Sequence, residues 1–290
     1  MPRIHVPTIN DSQWDYFRLF NYWHQISQSG GHVTFDFTRC MFLRPNAVTL
    51  LGGVARLAER QGTLVEFDWK TANQAVLMNL CQNGFAHAFG HGSAPWSGNS
   101  IPYREDLVSA PNPIADYLTD QWIGRGWINV SERVRDAIVG TVWEIYANSF
   151  EHAQSPVGVF SCGQYYAKTN ELILSVVDFG TGIPSKVRGY LQPDPRTRQI
   201  PSSALLNWAF ERGNSTSNSG VPRGLGLDFL KKFVRVNNGV LEVYSENSYA
   251  RIDKSSDNYF DLPTDLAGTA VQIKLICDNR YYRFANEGNS

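Results

Sequence analysis

The sequence predicts an α/β protein, and three observations carry that prediction. Strand-like alternation and helix-like spacing take turns through the N-terminal third of the chain. A continuous apolar run, L-I-L-S-V-V at 172–177, has the length and branched-residue content of a buried strand. Helical periodicity lies on either side of that run, at 131–152 and 225–236. The expected architecture is a C-terminal α/β sandwich, a mixed sheet with helices on one face, preceded by a smaller α/β unit.

Taken in order, residues 13–28 place Trp14, Phe17, Phe20, Trp23 and Ile26 at the spacing of a buried helix, ended by Ser29-Gly30-Gly31. H-V-T-F-D-F-T at 32–38 alternates as a strand with Val33, Phe35 and Phe37 on one face. A helix follows over 47–60, started near Pro45 and Asn46 and stopped by Gly62. T-L-V-E-F-D-W at 63–69 is a second strand, and a helix is expected over 72–81. Residues 93–113 are rich in Pro, Gly and Ser and read as a linker, which divides the chain into domains at 1–92 and 114–290. Beyond it come a short helix at 114–123 and a long one to His152, capped by Asn129 or Ser131. Strands are expected at 157–166, 171–178, 239–245 and 269–276, with helices at 202–212 and 225–236.

Composition narrows the function classes. A net charge of −1 gives no broad case for nucleic-acid binding. No uncharged apolar run reaches bilayer length, and the N-terminus lacks the apolar core of a signal peptide, so no membrane association and a cytoplasmic location are expected. Cys40, Cys81, Cys162 and Cys277 form no C-x-x-C pair and are expected as reduced, buried thiols. His87 and His91 lack the partners of a zinc site. Lys231, Lys232 and Arg235 read as a solvated helix face.

Three stretches carry candidate chemistry. In E-I-Y-A-N-S-F-E-H, Glu144, Asn148 and His152 recur every fourth residue, which stacks them on one helix face. Asp178 ends the apolar strand, where a carboxylate is costly to bury without a partner, and it is followed by Phe179-Gly180-Thr181-Gly182. In G-V-P-R-G-L-G-L, Gly220, Gly224 and Gly226 surround a helix start, where bare backbone N–H groups can cradle an anion and Arg223 can reach it. The segment from Gly182 to Gly220 ends in E-R-G-N-S-T-S-N-S-G, a composition suited to a moving flap. Each stretch alone also describes ordinary helix faces and loops. The Asp-Phe-Gly tripeptide has no H-R-D loop or strand lysine to make it a protein-kinase motif.

In this order the three stretches resemble the N, G1 and G2 boxes of the GHKL ATPase superfamily, which includes gyrase-type ATPases, histidine kinases, MutL-type repair proteins and anti-sigma serine kinases. The resemblance covers the C-terminal part of the chain and implies a Bergerat-type α/β sandwich that binds ATP with Mg²⁺. It implies that Glu144 is the general base, that Asn148 holds Mg²⁺ and that His152 lies near the phosphates. It implies that Asp178 accepts a hydrogen bond from the adenine amino group, with Thr269 supporting the base. Gly180, Gly182 and Ile183 complete the G1 box, its two glycines letting the backbone pass close to the base and sugar, and Gly220, Arg223, Gly224, Leu225, Gly226 and Leu227 complete the G2 box. The stretches V-T-F-D-F-T-R-C-M-F-L-R-P-N-A-V-T-L-L and N-L-C-Q-N-G-F-A-H-A-F resemble a STAS domain, the fold of anti-sigma factor antagonists. Where that family carries its phosphorylated Ser, this chain has Phe42, Leu43, Arg44 and Pro45.

These resemblances imply an ATPase that turns over slowly and uses its flap as a conformational switch. A serine/threonine kinase of the anti-sigma type and a non-hydrolysing, nucleotide-gated interaction module are the alternatives. A protein client, or self-association through the N-terminal domain, is the expected partner besides ATP.

Overall fold

The computed structural model describes residues 2–27, 31–192, 195–211, 214 and 225–288. The N-terminal unit is built on a parallel three-stranded sheet in the order β1 (Arg3–His5), β2 (His32–Asp36), β3 (Leu64–Asp68). Helix α1 (Gln13–Ser27) follows β1, and helix α2 (Pro45–Arg60) crosses from β2 to β3. Strand β1 has no strand-like run in the sequence; it forms because Arg3–His5 extend alongside β2, with Ile4 buried. Helix α2 starts with Pro at its first position, where the missing N–H costs nothing, and its residues are buried on nearly every side. A helix buried all round needs cover all round. The parallel sheet supplies one side, and a second sheet supplies the other.

That second sheet has five strands in the order β4 (Ser100–Asp106), β6 (Val159–Tyr166), β7 (Glu171–Asp178), β9 (Asp257–Ile276), β8 (Val240–Ile252). All four pairings are antiparallel, which corrects the expectation of a mixed sheet. The reason is local: β6–β7 and β8–β9 are hairpins, joined by turns too short for a parallel crossover. Strands β8 and β9 also run further than expected, as one long hairpin.

The stretch expected to be a linker contains β4. Ile101 and Tyr103 are buried, and β4 lies at the sheet edge, where Pro102 sits at a shift in register and its missing donor is tolerated.

Period-two alternation sends each strand's side chains to two different cores. Leu172, Leu174 and Val176 of β7 join the helices of the C-terminal half, whereas Val177 joins the N-terminal unit, as do Phe160 and Tyr244. Both faces are therefore covered, so the expectation of helices on one face holds only for the C-terminal helices. This double burial explains the unbroken apolar run in β7. The contact between α2 and the sheet depends on two adjacent glycines. A Cβ at Gly52 would lie 2.1 Å from the Tyr103 hydroxyl oxygen, and one at Gly53 would lie 2.0 Å from Cε2 of Phe179. Thr49 Oγ1 and Ser175 Oγ, 3.0 Å apart, satisfy each other across this interface. Tyr16 stacks on Tyr244 with ring centres 4.0 Å apart, and its hydroxyl donates to Gln272 Oε1 at 3.1 Å.

Helices α3 (Gln74–Gln82) and α4 (Phe85–Ala88) follow β3 and bury Val76, Leu80 and Phe85 in the N-terminal core, and the remaining helices pack on the other face of the five-stranded sheet. They are α5 (Pro111–Asp116), which continues through a wide turn at Tyr117–Trp122, α6 (Glu132–Asn148), α7 (Ile183–Leu191), α8 (Ser202–Phe210) and α9 (Leu225–Asn237). Two residues ahead of α6, β5 (Asn129–Val130), pair in parallel with β10 (Tyr281–Tyr282), so the C-terminal segment folds back onto the start of α6. Lys231 and Arg235 of α9 pair with Asp257, and Lys232 pairs with Asp228. All four cysteines are free; Cys81 is partly exposed and the other three are buried. Among the described residues no helix is long and apolar enough to cross a membrane.

Of the two candidate caps for α6, Ser131 is the cap: its Oγ accepts from the Val134 N–H at 3.2 Å. Ser131→Ala is expected to lower unfolding stability by about 1 kcal/mol, measured by urea denaturation.

Candidate functional site

Helix α6 buries Val134, Ile138, Val142 and Tyr146 against the sheet, which leaves Gly140, Glu144 and Asn148 on a face that lines a cleft of about 450 Å³. After Asn148 the helix widens into a π-helical turn, Ser149–Ala153, and ends at Gln154 in the left-handed conformation. The wider turn breaks the regular four-residue stacking expected for Glu144, Asn148 and His152, yet His152 still lines the cleft. Ser149, four residues after the buried Ile145, continues the buried face of α6 to the end of β7. Ser149 Oγ donates to Asp178 Oδ2 at 2.8 Å and lies 3.1 Å from the Ile145 carbonyl oxygen.

Asp178 is 3% exposed and lies on the same face of β7 as Leu174 and Val176. Its Oδ1 accepts from the Gly180 N–H at 3.1 Å, and Thr269 is its cross-strand partner on β9. Burial pushes its carboxyl up to about 7, against the pull of the Ser149 hydroxyl and the amides of Gly180 and Thr269. Both protonation states have partners. The carboxylate accepts from Ser149; the acid can donate to Ser149 Oγ, which then turns its proton to the Ile145 carbonyl.

The loop after Asp178 is clamped to the end of α6. The Thr181 N–H donates to the Ala153 carbonyl at 2.7 Å, and the Phe179 N–H donates to Ser155 Oγ at 3.3 Å. A Cβ at Gly180 would lie 2.1 Å from that same Ala153 oxygen. The chain's own packing therefore requires Gly180, which does not line the cleft, whereas the sequence reading assigned it to the approach of a base and sugar. A Cβ at Gly182 would lie 2.5 Å from Cγ of Glu246.

Gly182 precedes α7, a helix absent from the sequence reading. Its first amides find acceptors on β8: the Ile183 N–H donates to Ser245 Oγ at 2.8 Å, and the Ser185 N–H donates to Glu246 Oε1 at 3.2 Å. Ser245 Oγ also lies 2.8 Å from Thr269 Oγ1, so Thr269 and the start of α7 share one hydroxyl. Ile183 and Lys186 of α7 and Trp208 and Phe210 of α8 line the cleft opposite α6.

One cleft thus gathers Glu144, Asn148, His152, Asp178, Gly182, Ile183 and Thr269, all singled out from the sequence. Gly220, Arg223 and Gly224 lie outside the described residues. Leu225, Gly226 and Leu227 begin the backbone of α9. The sequence reading missed Ser149, Ser245, Lys186 and Trp208. Lys186 is the only Lys or Arg among the described lining residues. Among the described residues no group of three or more His, Cys, Asp and Glu can hold a metal ion. No protein-family model matches the chain, and no curated protein matches it.

Because the folded carboxyl of Asp178 titrates above its unfolded value, the folded state holds this proton more tightly. That contribution to stability is complete below about pH 4 and is lost as pH rises through about 7. Wild type is therefore expected to lose up to about 1.4 kcal/mol per pH unit relative to Asp178→Asn over that interval. Denaturant melts of both proteins between pH 4 and 8 check this; a constant difference contradicts it.

Proposed function

We propose that the cleft binds MgATP and hydrolyses it slowly, with the segment between Gly182 and Gly220 acting as a conformational switch. The observation that carries this reading is the buried Asp178 at the head of an apolar cleft, facing a helix that presents Glu144, Asn148 and His152. A cleft of about 450 Å³ falls in the size range of small-molecule sites. Valines of three strands, Val176, Val243 and Val271, supply an apolar floor for a planar base. Asp178 takes the amino group of that base, with Thr269 beside it.

Asn148 supplies one neutral oxygen to the magnesium ion. Magnesium usually enters such sites with few protein ligands and with the phosphates themselves. Lys186 brings positive charge to the phosphates with His152 beside it, and Glu144 takes the proton of the attacking water. On this reading the C-terminal half is the Bergerat-type sandwich of the GHKL superfamily and the N-terminal unit its STAS-like companion. That companion is the part that meets a protein client or a second copy.

The deciding experiment follows ATP labelled in its γ-phosphate. Free phosphate is expected; label on a protein selects the anti-sigma type of kinase, and label remaining on ATP selects the non-hydrolysing module. Glu144→Ala is expected to keep nucleotide affinity and to slow phosphate release by about 100-fold or more. Asp178→Asn is expected to weaken binding by about 100-fold in calorimetry, and unchanged affinity removes the adenine assignment.

Affinity in the wild type is expected to rise between about pH 6 and 8, because the donor on the base favours the ionised form of Asp178. Titrations across that range check it, and the rise should be absent in Asp178→Asn.

A further inference from the structure

Two consecutive residues at the end of β7 point into two different cores. Asp178 faces the cleft, and Phe179 packs in the core of the N-terminal unit. The Phe179 ring meets α2 at Gly53, where even a methyl group would overlap it, and stands edge-on to Phe160 with ring centres 6.1 Å apart. Beside the ring lies a void of about 10 Å³ lined by Leu19, Phe20 and Trp23 of α1 and Leu50 and Val54 of α2. From the other side, Gly268 passes so close that a Cβ would lie 2.1 Å from the Asp178 carbonyl oxygen. The backbone between the two side chains therefore has little room, while the ring has a small space to shift into. A movement of α1 or α2 that presses the ring beyond that space loads the same backbone unit that carries Asp178.

We propose that Phe179 is a positioning residue for Asp178, and that the packing of α1 and α2 around its ring sets the ligand affinity of the cleft from the opposite face of the sheet. The nucleotide reading supplies the ligand; the mechanical link stands on the geometry alone. Linkage makes the effect reciprocal: whatever binds the N-terminal unit and repacks α1 against α2 alters affinity in the cleft, and occupancy of the cleft alters that packing.

Neighbouring glycines provide the test. Gly53→Ala drives a methyl group into Phe179, whereas Gly52→Ala, in the same helix, drives one into Tyr103. The full-length variants are compared by titration with a fluorescent ATP analogue and, without nucleotide, by amide exchange at Gly180 and Thr181, whose N–H groups hold the loop to Asp178 and Ala153. Gly53→Ala is expected to weaken affinity about tenfold and to speed exchange at both amides. Gly52→Ala is expected to stay within about twofold of wild type and to leave that exchange unchanged.

The proposal is overturned if the two variants shift both readouts alike, or if neither shifts them. Exchange that separates the variants in a protein that binds no nucleotide keeps the link and rejects the nucleotide. Nucleotide binding that neither variant alters does the opposite. If Gly53→Ala does not fold, Phe179→Leu, which leaves α2 intact, must weaken affinity in the same direction; unchanged affinity overturns the proposal.

Discussion

The molecule depends on how it accommodates one carboxylate. An acid at the end of a fully buried strand is stable only if fixed donors surround it and the chain carrying them cannot drift. Ser149 approaches from the end of α6 and Gly180 from the loop itself, while the Thr181–Ala153 hydrogen bond ties that loop to the helix. The widened turn of α6, the bare backbone at Gly180 and the close pass of Gly268 all serve this arrangement. Burial outweighs these donors, so the acid titrates close to neutrality. A group in that condition responds to a small change in its surroundings, which is the usual state of residues that bind or react.

The sheet transmits this constraint rather than merely supporting it. Its alternating side chains belong to two cores, so the strand that ends in Asp178 has no solvent-facing side to absorb a displacement. Close-packed interiors are poorly compressible. Contact between α2 and the sheet is direct at Gly52 and Gly53, with a hydroxyl pair at Thr49 and Ser175 nearby. The N-terminal unit thus backs the sheet whose opposite face floors the cleft.

Much of the candidate site was legible in the sequence because its signals are local. Asp178 announced itself by following an apolar run, and the spacing of Glu144 and Asn148 by itself puts them on one helix face. What remained hidden depends on long-range geometry. Ser245 and Glu246 accept from the start of α7 only because the pairing of β8 with β9 brings a register shift in the middle of β8 beside it. Ser149 follows Ile145 by four residues and so continues the buried face of α6, but its pairing with Asp178 depends on how that face packs on the end of β7. Helix α7 was obscured by Gly189 and by its nine-residue length, although Pro184 near its start was a fair signal. The edge strand β4 was concealed by a proline- and glycine-rich setting, since an edge tolerates the residues that an interior strand excludes. Gly180 was picked out correctly as a close-approach glycine, but its neighbour is the protein's own carbonyl.

The position of β4 bears on how this chain can be divided. Residues 100–106 lie between the two halves in sequence, yet they pair along β6 and cover its outer edge. Cutting the chain before them leaves the N-terminal fragment without the Tyr103 that packs against Gly52. Cutting after them exposes a row of unpaired amides and carbonyls along β6, an open template for association with another copy. Both halves thus draw on one strand, and a fragment made of either loses a contact or an edge partner that the whole chain supplies.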